Sequence, residues 1–420
     1  MPQLLLALTV KTCASSIVRR HVMAHSERPA DADALLAAVR DFVAHDVLPN
    51  VGAWDRDDVL PDNVFGRLMD LGLMGAMVPP EYGGRGFTVQ ELVPVWRTLS
   101  QGWISLTGAI NPSGLATALL VRHGTEEQRE RWLRPLAAGE IFAAFSITEP
   151  QAGSDLKRLQ TEASRRPGGG LVLDGSKRWV AGGASAAVVF MLVGVDGTER
   201  PSCVVLPAAG RDSPAWRVEA LDKLGYRGVE SAAYEFDGFA SADAEILGGE
   251  AGLGRGAAQM LEALDVGRVN VACRALGILD RVAAVTATQA LDREVGDTVL
   301  ADYTHTQLRI GEMHARMLAA ESLTLRAAAA VDARAPDARQ LAASAKVLAS
   351  DLTIWAIDRA ARLAASRSYA ADDELARLRR DAPQTQIGEG ANDVLLFALA
   401  RDVLANWTVD GVNEEWRASV

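Results

Sequence analysis

Within QIGEGANDVLL, residues 386–396, one carboxylate, Glu389, stands between Gly388 and Gly390. The glycines free the backbone to turn and place no side chain beside the acid. The carboxylate is thus presented openly at the mouth of a helix. The position also has a plain structural use. DVLLFALARDVL (393–404) is an apolar-rich helical run, and acidic groups favour helix starts.

Three other places could carry chemistry. SITEPQAGSD (146–155) leaves a strand and turns through Pro150 and Gly153, gathering small hydroxyls and backbone N–H groups at one point. Such a turn can serve the edge atoms of a planar polar heterocycle, although an ordinary strand-exit loop has the same composition. GSKRWV (175–180) puts Trp179 on a strand, where a tryptophan is more often core than ligand wall. Asp265 and Arg268 are three apart on a long helix, the spacing of a surface ion pair.

The elements that must position these residues come in three blocks. From 31 to 140 the pattern is helical: ADALLAAVRDFVAHDVL (32–48) repeats apolar residues three and four apart, and PDNVFGRLMDLG (61–72) opens at a proline and stops at a glycine. Thr125 with Gln128 three residues on forms a capping box. From 141 to 250 short β-branched or alternating runs replace the helices: FAAFSIT, GLVLDG, AAVVFMLVGV, SCVVLPA, WRVEAL and SAAYEFDGF. No long helix separates them, so the reading is an antiparallel barrel or sandwich rather than βαβ units. From 251 to 420 long Ala-rich amphipathic helices return, at 257–291, 302–333 and 338–365, as in a bundle or subunit interface.

Composition excludes several classes. A net charge of -11 argues against a nucleic-acid partner. Cys13, Cys203 and Cys273 are scattered, which suits a reducing cytoplasm, and the histidines show no HExxH spacing, so no metal is expected. GLGRG (252–256) lacks GxGxxG spacing, and there is neither a Walker loop nor a GxSxG elbow. No stretch reaches the ~20 apolar residues expected of a membrane span. MPQLLLALTV has its charges after the apolar run rather than before it, so residues 1–30 read as an N-terminal extension, with Met1 and Met23 both compatible starts.

As a set, VPPEYGGRG, GTEEQRERWLRPLAAGEIFAAFSITEPQAGSD, GSKRWV, KLGYRG (223–228), ILGGEAGLG (246–254), DVGR (265–268) and RRDA…IGEGANDVL (379–395) resemble the acyl-CoA dehydrogenase flavoproteins, over residues 31–408. The resemblance implies an N-terminal α-helical domain, a middle antiparallel β-barrel and a C-terminal four-helix bundle, with FAD as cofactor. It implies that Phe145, Ile147, Thr148, Gly153 and Ser154 line the flavin, that Ser154 also approaches the thioester chain, and that Trp179 packs on the isoalloxazine. Asp265, Arg268 and Gly390 would lie near substrate and base, with Glu389 as the catalytic base. Some branches place the base just before the arginine of DxxR; here that residue is Gly267. The implied reaction is α,β-desaturation of an acyl-CoA or acyl-carrier thioester: the α-proton leaves to the base, the β-hydrogen leaves as hydride to flavin N5, and electrons pass to an electron-transfer flavoprotein.

The chain also departs from the family pattern. Ala181 stands where a threonine follows the barrel tryptophan, and Ala391 replaces the threonine of EGT. Arg293 keeps the arginine of an RxxFG motif that has lost Phe-Gly, and in RLAASRSY (362–369) Arg362 replaces a glutamine while Ala365 and Ser366 replace a glycine pair. These motifs hold the adenosine diphosphate half of FAD for a neighbouring subunit in the family, and a Cβ at those glycines obstructs close approach to phosphate. Weaker FAD binding in a homodimer or homotetramer is one reading. The other is an α₂β₂ complex with a paralogous subunit, carrying half the usual flavins. The competing functions are a flavin monooxygenase or nitroalkane oxidase on the same fold, against which Glu389 argues, and a regulatory or scaffolding relative without turnover.

Overall fold

The computed structural model describes residues 31–405, so the expectations for the extension at 1–30 and for the last residues of the chain lie outside it. The N-terminal part is helical: α1 (Ala32–Phe42), α2 (Val51–Asp57), α3 (Asp62–Asp70), α4 (Val89–Gly102), α5 (Ile104–His123) and α6 (Glu126–Ala138). Local sequence sets their ends. Asp31 caps α1, Thr88 with Glu91 and Thr125 with Gln128 close full capping boxes at α4 and α6, and Gly139 ends α6 in the left-handed region that favours glycine. By composition alone α5 is long and apolar enough to cross a membrane, contrary to the expectation above, but 78% of that stretch is buried inside the fold, as in a core helix.

The middle part is one eight-stranded sheet of β1 (Ala143–Ser146), β2 (Glu162–Arg165), β3 (Leu171–Ala181), β4 (Val188–Val195), β5 (Ser202–Pro207), β6 (Trp216–Ala220), β7 (Ser231–Ser241) and β8 (Glu245–Ile246). All six strands expected from the sequence are present. The sheet corrects the expectation of an antiparallel barrel in two ways. The path β6-β7-β3-β2-β4-β5-β8 is open, with no ladder joining β6 to β8 among the described residues, and two pairings are parallel. β1 pairs with the first half of β4 (Ala143 with Val188), and β2 pairs in the same direction with its last residues (Ala163 with Val195). The chain between them, 147–161, is therefore pushed out as a loop at the edge of β4. That loop contains all of SITEPQAGSD but its first residue, Ser146, which ends β1. The floor is apolar: β4 and β5 are buried almost throughout, and Trp216 packs with Tyr234, Phe236 and Phe239 at ring separations of 5.1–5.4 Å.

The C-terminal part is helical: α7 (Gly256–Asp292), α8 (Thr304–Ala333), α9 (Ala338–Ala364), α10 (Glu374–Ile387) and α11 (Asn392–Ala405). α7 is the axis of the molecule. It packs against α9 and α8 on one side and α4 and α5 on the other, so most of its residues from Ala263 to Leu279 are buried. A small hairpin, β9 (Glu294–Val295) and β10 (Thr298–Val299), follows it.

Candidate active site

α10 ends at Gly388, and the chain then turns through Glu389 (φ 55°) and Gly390 (φ 102°) before α11 begins. A non-glycine residue in this left-handed region is uncommon and persists where neighbours hold it. Three side chains from other helices do so. Asn111 of α5 donates from Nδ2 to Glu389 Oε1 at 2.8 Å. Arg268 of α7 donates from Nε to the Glu389 carbonyl at 3.3 Å. Lys346 of α9, fully buried, donates from Nζ to the Gln386 carbonyl at 2.8 Å, the Gly390 carbonyl at 2.7 Å and Asn392 Oδ1 at 2.6 Å. The Gln386 carbonyl lies in the last turn of α10, where helix carbonyls lack internal partners, so the lysine also caps that helix. Burial pushes Lys346 down to about 7, against the pull of Glu389.

Gly267 acquires a second meaning here. A Cβ built on it would stand 3.0 Å from Glu389 Cδ and 3.2 Å from Leu115 Cδ2. The carboxylate thus packs directly over the backbone of α7, in space that a side chain at 267 would take. Asp265 and Arg268 form the ion pair their spacing predicts, at 2.6 Å, but it is buried rather than on the helix surface. Burial raises the Asp265 pKa while Arg268 and Arg339 pull it down, and burial lowers that of Arg268.

The loop at 147–161 is fixed as firmly. Lys177, buried on β3, donates from Nζ to the Ile147 carbonyl at 3.2 Å, the Leu192 carbonyl at 2.5 Å and Glu149 Oε1 at 2.7 Å. Glu149 in turn accepts from the backbone N–H groups of Gln160 and Thr161, at 2.7 and 3.0 Å, so one buried ion pair ties both arms of the loop to the sheet. The Arg178 N–H donates to the Thr148 carbonyl at 2.9 Å. β3 shifts register against β7 between Lys177 and Val180, and at this irregularity Trp179 (φ 65°) turns its indole outward, 53% exposed. It is not core. Phe145 and Ile147 pack half-buried on the core, Ala181 and Thr148 are half-buried, and Gly153 and Ser154 are exposed. The hydroxyl of Ser146, buried between Phe145 and Ile147, has no hydrogen-bond partner among the described residues.

α5 connects the two loops: Ser113 Oγ accepts from the Ala143 N–H at 3.2 Å where β1 begins, two residues from Asn111. Ala391 and Gly390 belong to the Glu389 turn. Arg293 does not join the set. It lies 25 residues beyond Arg268, roughly 37 Å along α7 at the ordinary helical rise. There Arg293 Nη1 donates to the Leu363 carbonyl at 3.1 Å, beside Ala365, whose φ of 54° and ψ of −130° belong to glycine-type backbone. The two altered motifs are neighbours at a surface remote from Glu389. The residues that sequence reasoning missed are Asn111, Glu149, Lys177 and Lys346. Glu149 and Lys177 stand within the SITEPQAGSD and GSKRWV segments and Asn111 and Lys346 on helices, and in each case only the buried contacts distinguish the residue. A separate cleft of about 570 Å³, lined by Asp55, Arg227, Glu374 and Arg377 among others, contains none of the expected site residues.

An outward indole beside a pinned strand-end loop, with an unpartnered buried hydroxyl beneath and open space around Gly153, fits a flat, polar-edged ring such as flavin. The carboxylate over Gly267 fits proton abstraction.

Comparison with known proteins agrees. The models for the acyl-CoA dehydrogenase N-terminal, middle and C-terminal domains match residues 29–140, 144–239 and 254–404. Benzylmalonyl-CoA dehydrogenase of Aromatoleum aromaticum is 30% identical over 85% of this chain and 93% of its own length. Probable acyl-CoA dehydrogenase YngJ of Bacillus subtilis is 29% identical over 87% and 96%. The structure of butyryl-CoA dehydrogenase from Megasphaera elsdenii superposes with a TM-score of 0.83 at 26% identity, over 89% of this chain and 98% of that one. The chain belongs to the acyl-CoA dehydrogenase family of flavin-dependent oxidoreductases.

Proposed function

We propose that the protein desaturates an acyl-CoA or acyl-carrier thioester between its α and β carbons, with Glu389 as the base and FAD as the cofactor. The observation that carries this reading is the Glu389 carboxylate, held over Gly267 by Asn111 and by Arg268 on its own carbonyl. The α-proton passes from the Cα–H bond to Glu389. Asn111 fixes the orientation of the carboxylate, and the Lys346 ammonium holds the turn that aims it. FAD supplies the two-electron acceptor for the β-hydrogen, and an electron-transfer flavoprotein is the proposed onward acceptor. Phe145, Ile147, Thr148, Ser154 and Trp179 are the residues proposed to hold the ring. The apolar floor beneath the 147–161 loop keeps water from the reacting carbons.

Homo-oligomerisation, with Arg293 and the 362–369 segment serving a neighbour's cofactor, is supported by their distance from Glu389 in one chain. The Cβ of Ala365 on glycine-type backbone favours a second reading, a heteromer that carries fewer flavins than subunits. FAD counted per chain in the purified protein distinguishes the two. A cytoplasmic location is part of the same proposal, resting on the scattered cysteines.

The decisive experiment mixes the flavin-loaded protein anaerobically with a panel of acyl-CoAs and follows bleaching of the flavin. Glu389→Gln is expected to retain flavin and lose about 100- to 10,000-fold in the rate of bleaching. Undiminished bleaching in that variant excludes Glu389 as the base.

A further inference from the structure

Arg274 lies on α7 one turn beyond Asn270 and is 2% exposed. Its hydrogen bonds among the described residues end on neutral oxygens. Nε donates to Asn270 Oδ1 at 2.8 Å, and Nη1 donates to Tyr226 Oη at 3.3 Å and to Gln384 Oε1 at 3.4 Å. Burying a full positive charge without a carboxylate costs stability, and long bonds to neutral oxygens offset only part of that cost. The contacts converge instead on the residues around Glu389.

Gln384 stands on α10 one turn before Gly388. A Cβ built on Gly388 would lie 2.6 Å from Gln384 Nε2, so this amide fills the space beside the residue that leads into Glu389. The Gly388 N–H also donates to the Gln384 carbonyl, at 2.8 Å. Tyr226 belongs to the connection between β6 and β7. Asp381 Oδ1 accepts from its backbone N–H at 2.7 Å, and its hydroxyl lies where a Cβ on Gly108 would fall. Gly108 is on α5, three residues before Asn111, whose amide holds Glu389 Oε1. Burial pushes the Tyr226 hydroxyl up, Arg274 pulls it down and Glu389 pushes it up, so both charges act at this ring. One planar fork thus bridges the end of α10 that carries the carboxylate and a tyrosine wedged against the helix that orients it.

We infer that Arg274 is a positioning residue for the reaction, acting through Gln384 on the Glu389 turn and through Tyr226 on α5. The inference rests on the dehydrogenase reading above. Arg274 moves no proton. Its donors diverge at fixed angles from one rigid plane, so the guanidinium sets the spacing between α5 and α10, and with it the fit of the Asn111 amide to the Glu389 carboxylate. Proton abstraction is sensitive to that spacing, since a misplacement of about 1 Å costs about 100-fold in rate. A lysine at 274 would supply the charge as a point donor and could not hold both partners at once.

The test compares Arg274→Met, Gln384→Met and the double variant with wild type in anaerobic bleaching of the bound flavin by a panel of acyl-CoAs. Thioester affinity is taken from the concentration dependence, and flavin content is measured alongside. Each single variant is expected to slow bleaching about 10- to 100-fold, with affinity and flavin content within about twofold of wild type. The double variant is expected to be no slower than Arg274→Met, because both changes act along one path. Arg274→Lys is expected to recover only part of the rate. An unchanged rate in Arg274→Met, a loss carried by affinity or flavin content, losses that multiply in the double variant, or full recovery by lysine overturns the inference. Should Arg274→Met fail to fold, Gln384→Met decides by the same criteria of rate against affinity. If no acyl-CoA bleaches wild type, the dehydrogenase reading itself fails, and hydrogen exchange over residues 385–391 then reports on the turn. Faster exchange confined to that segment in the variants upholds Arg274 as its anchor, and unchanged exchange overturns it.

Discussion

Two loops carry most of the proposed site, and each is pegged by one buried lysine, but the pegs differ in kind. Lys177 holds the 147–161 loop together with Glu149, and both members of that ion pair are wholly buried. Lys346 holds the Glu389 turn through direct bonds to neutral oxygens only, with Glu389, Arg268 and Asp351 acting on it from further away. Burial lowers both lysines, Lys177 to about 8 and Lys346 to about 7. The difference follows from the partner: a carboxylate in contact compensates Lys177 more fully than carbonyls compensate Lys346. The loop beside Trp179 is therefore fixed by a closed charge pair, whereas the turn that aims the base is held by a proton whose pKa falls near neutrality.

Breaking the closed pair has the larger expected effect on stability. Lys177→Met leaves Glu149 buried and uncompensated and is expected to cost about 3–5 kcal/mol in denaturant unfolding. If the cost is close to zero, the loop is held by its backbone bonds and the contrast between the pegs disappears.

Lys346→Met is expected to reduce kcat roughly 10- to 100-fold through misplacement of Glu389, with smaller change in KM. Lys346→Arg should restore part of this rate. The lysine also predicts a pH signature. Between about 7 and its ordinary 10.5 the unfolded chain holds the Lys346 proton and the folded chain does not, so this group adds stability as pH rises through that window. Below about 7 both states are protonated and the burial cost stands in full. Lys346→Met should remove that slope from unfolding curves, and in wild type the rate should fall above pH ~7 as the ammonium that donates to all three oxygens is lost.

The smallest effect belongs to Gly267→Ala. Its Cβ would meet Glu389 Cδ at 3.0 Å, so the carboxylate must give by a few tenths of an ångström, at a cost of about 1 kcal/mol, the low end for overpacking. A severalfold loss of kcat with unchanged flavin content is the expected reading. No loss would mean that the base turn tolerates displacement despite Lys346.

The helical character of 31–140, the long helices after 251, the Thr125–Gln128 capping box and six of the strands were legible because 3.6- and two-residue periodicities and capping boxes are local signals, whereas α10 was hidden by its charges and by Pro383. Glu389, Gly267 and Trp179 entered through the resemblance, and their roles belong to the proposal. β2 was not, being four residues with two charged ends, EASR. Its pairing beside β1 on the same edge of β4 is what converts the expected antiparallel barrel into an open mixed sheet. Lys177 keeps the parity of the buried Leu171 and Leu173, but an ammonium is costly to bury, and only its contact with Glu149 makes the inward position tenable. Asn111 and Lys346 sit on helices that carry other polar residues too, among them Ser113 and Thr117, and Ser350 and Asp351, and a sequence does not say which of these finds water and which a buried partner.

The sequence by itself determined most of the elements and the family, since these rest on residue type and short-range spacing, and it offered Glu389 as the proposed base through the resemblance alone. Tertiary structure decided which polar groups were taken out of water and what they met there. Lys346 is 43 residues from Glu389, Asn111 is 278 residues away, and Arg274 shares a helix face with Gly267. Their effects depend on burial and on distances of a few ångströms. Those are properties of how α5, α7, α9 and α10 pack, because electrostatic strength depends on local solvation as well as on charge.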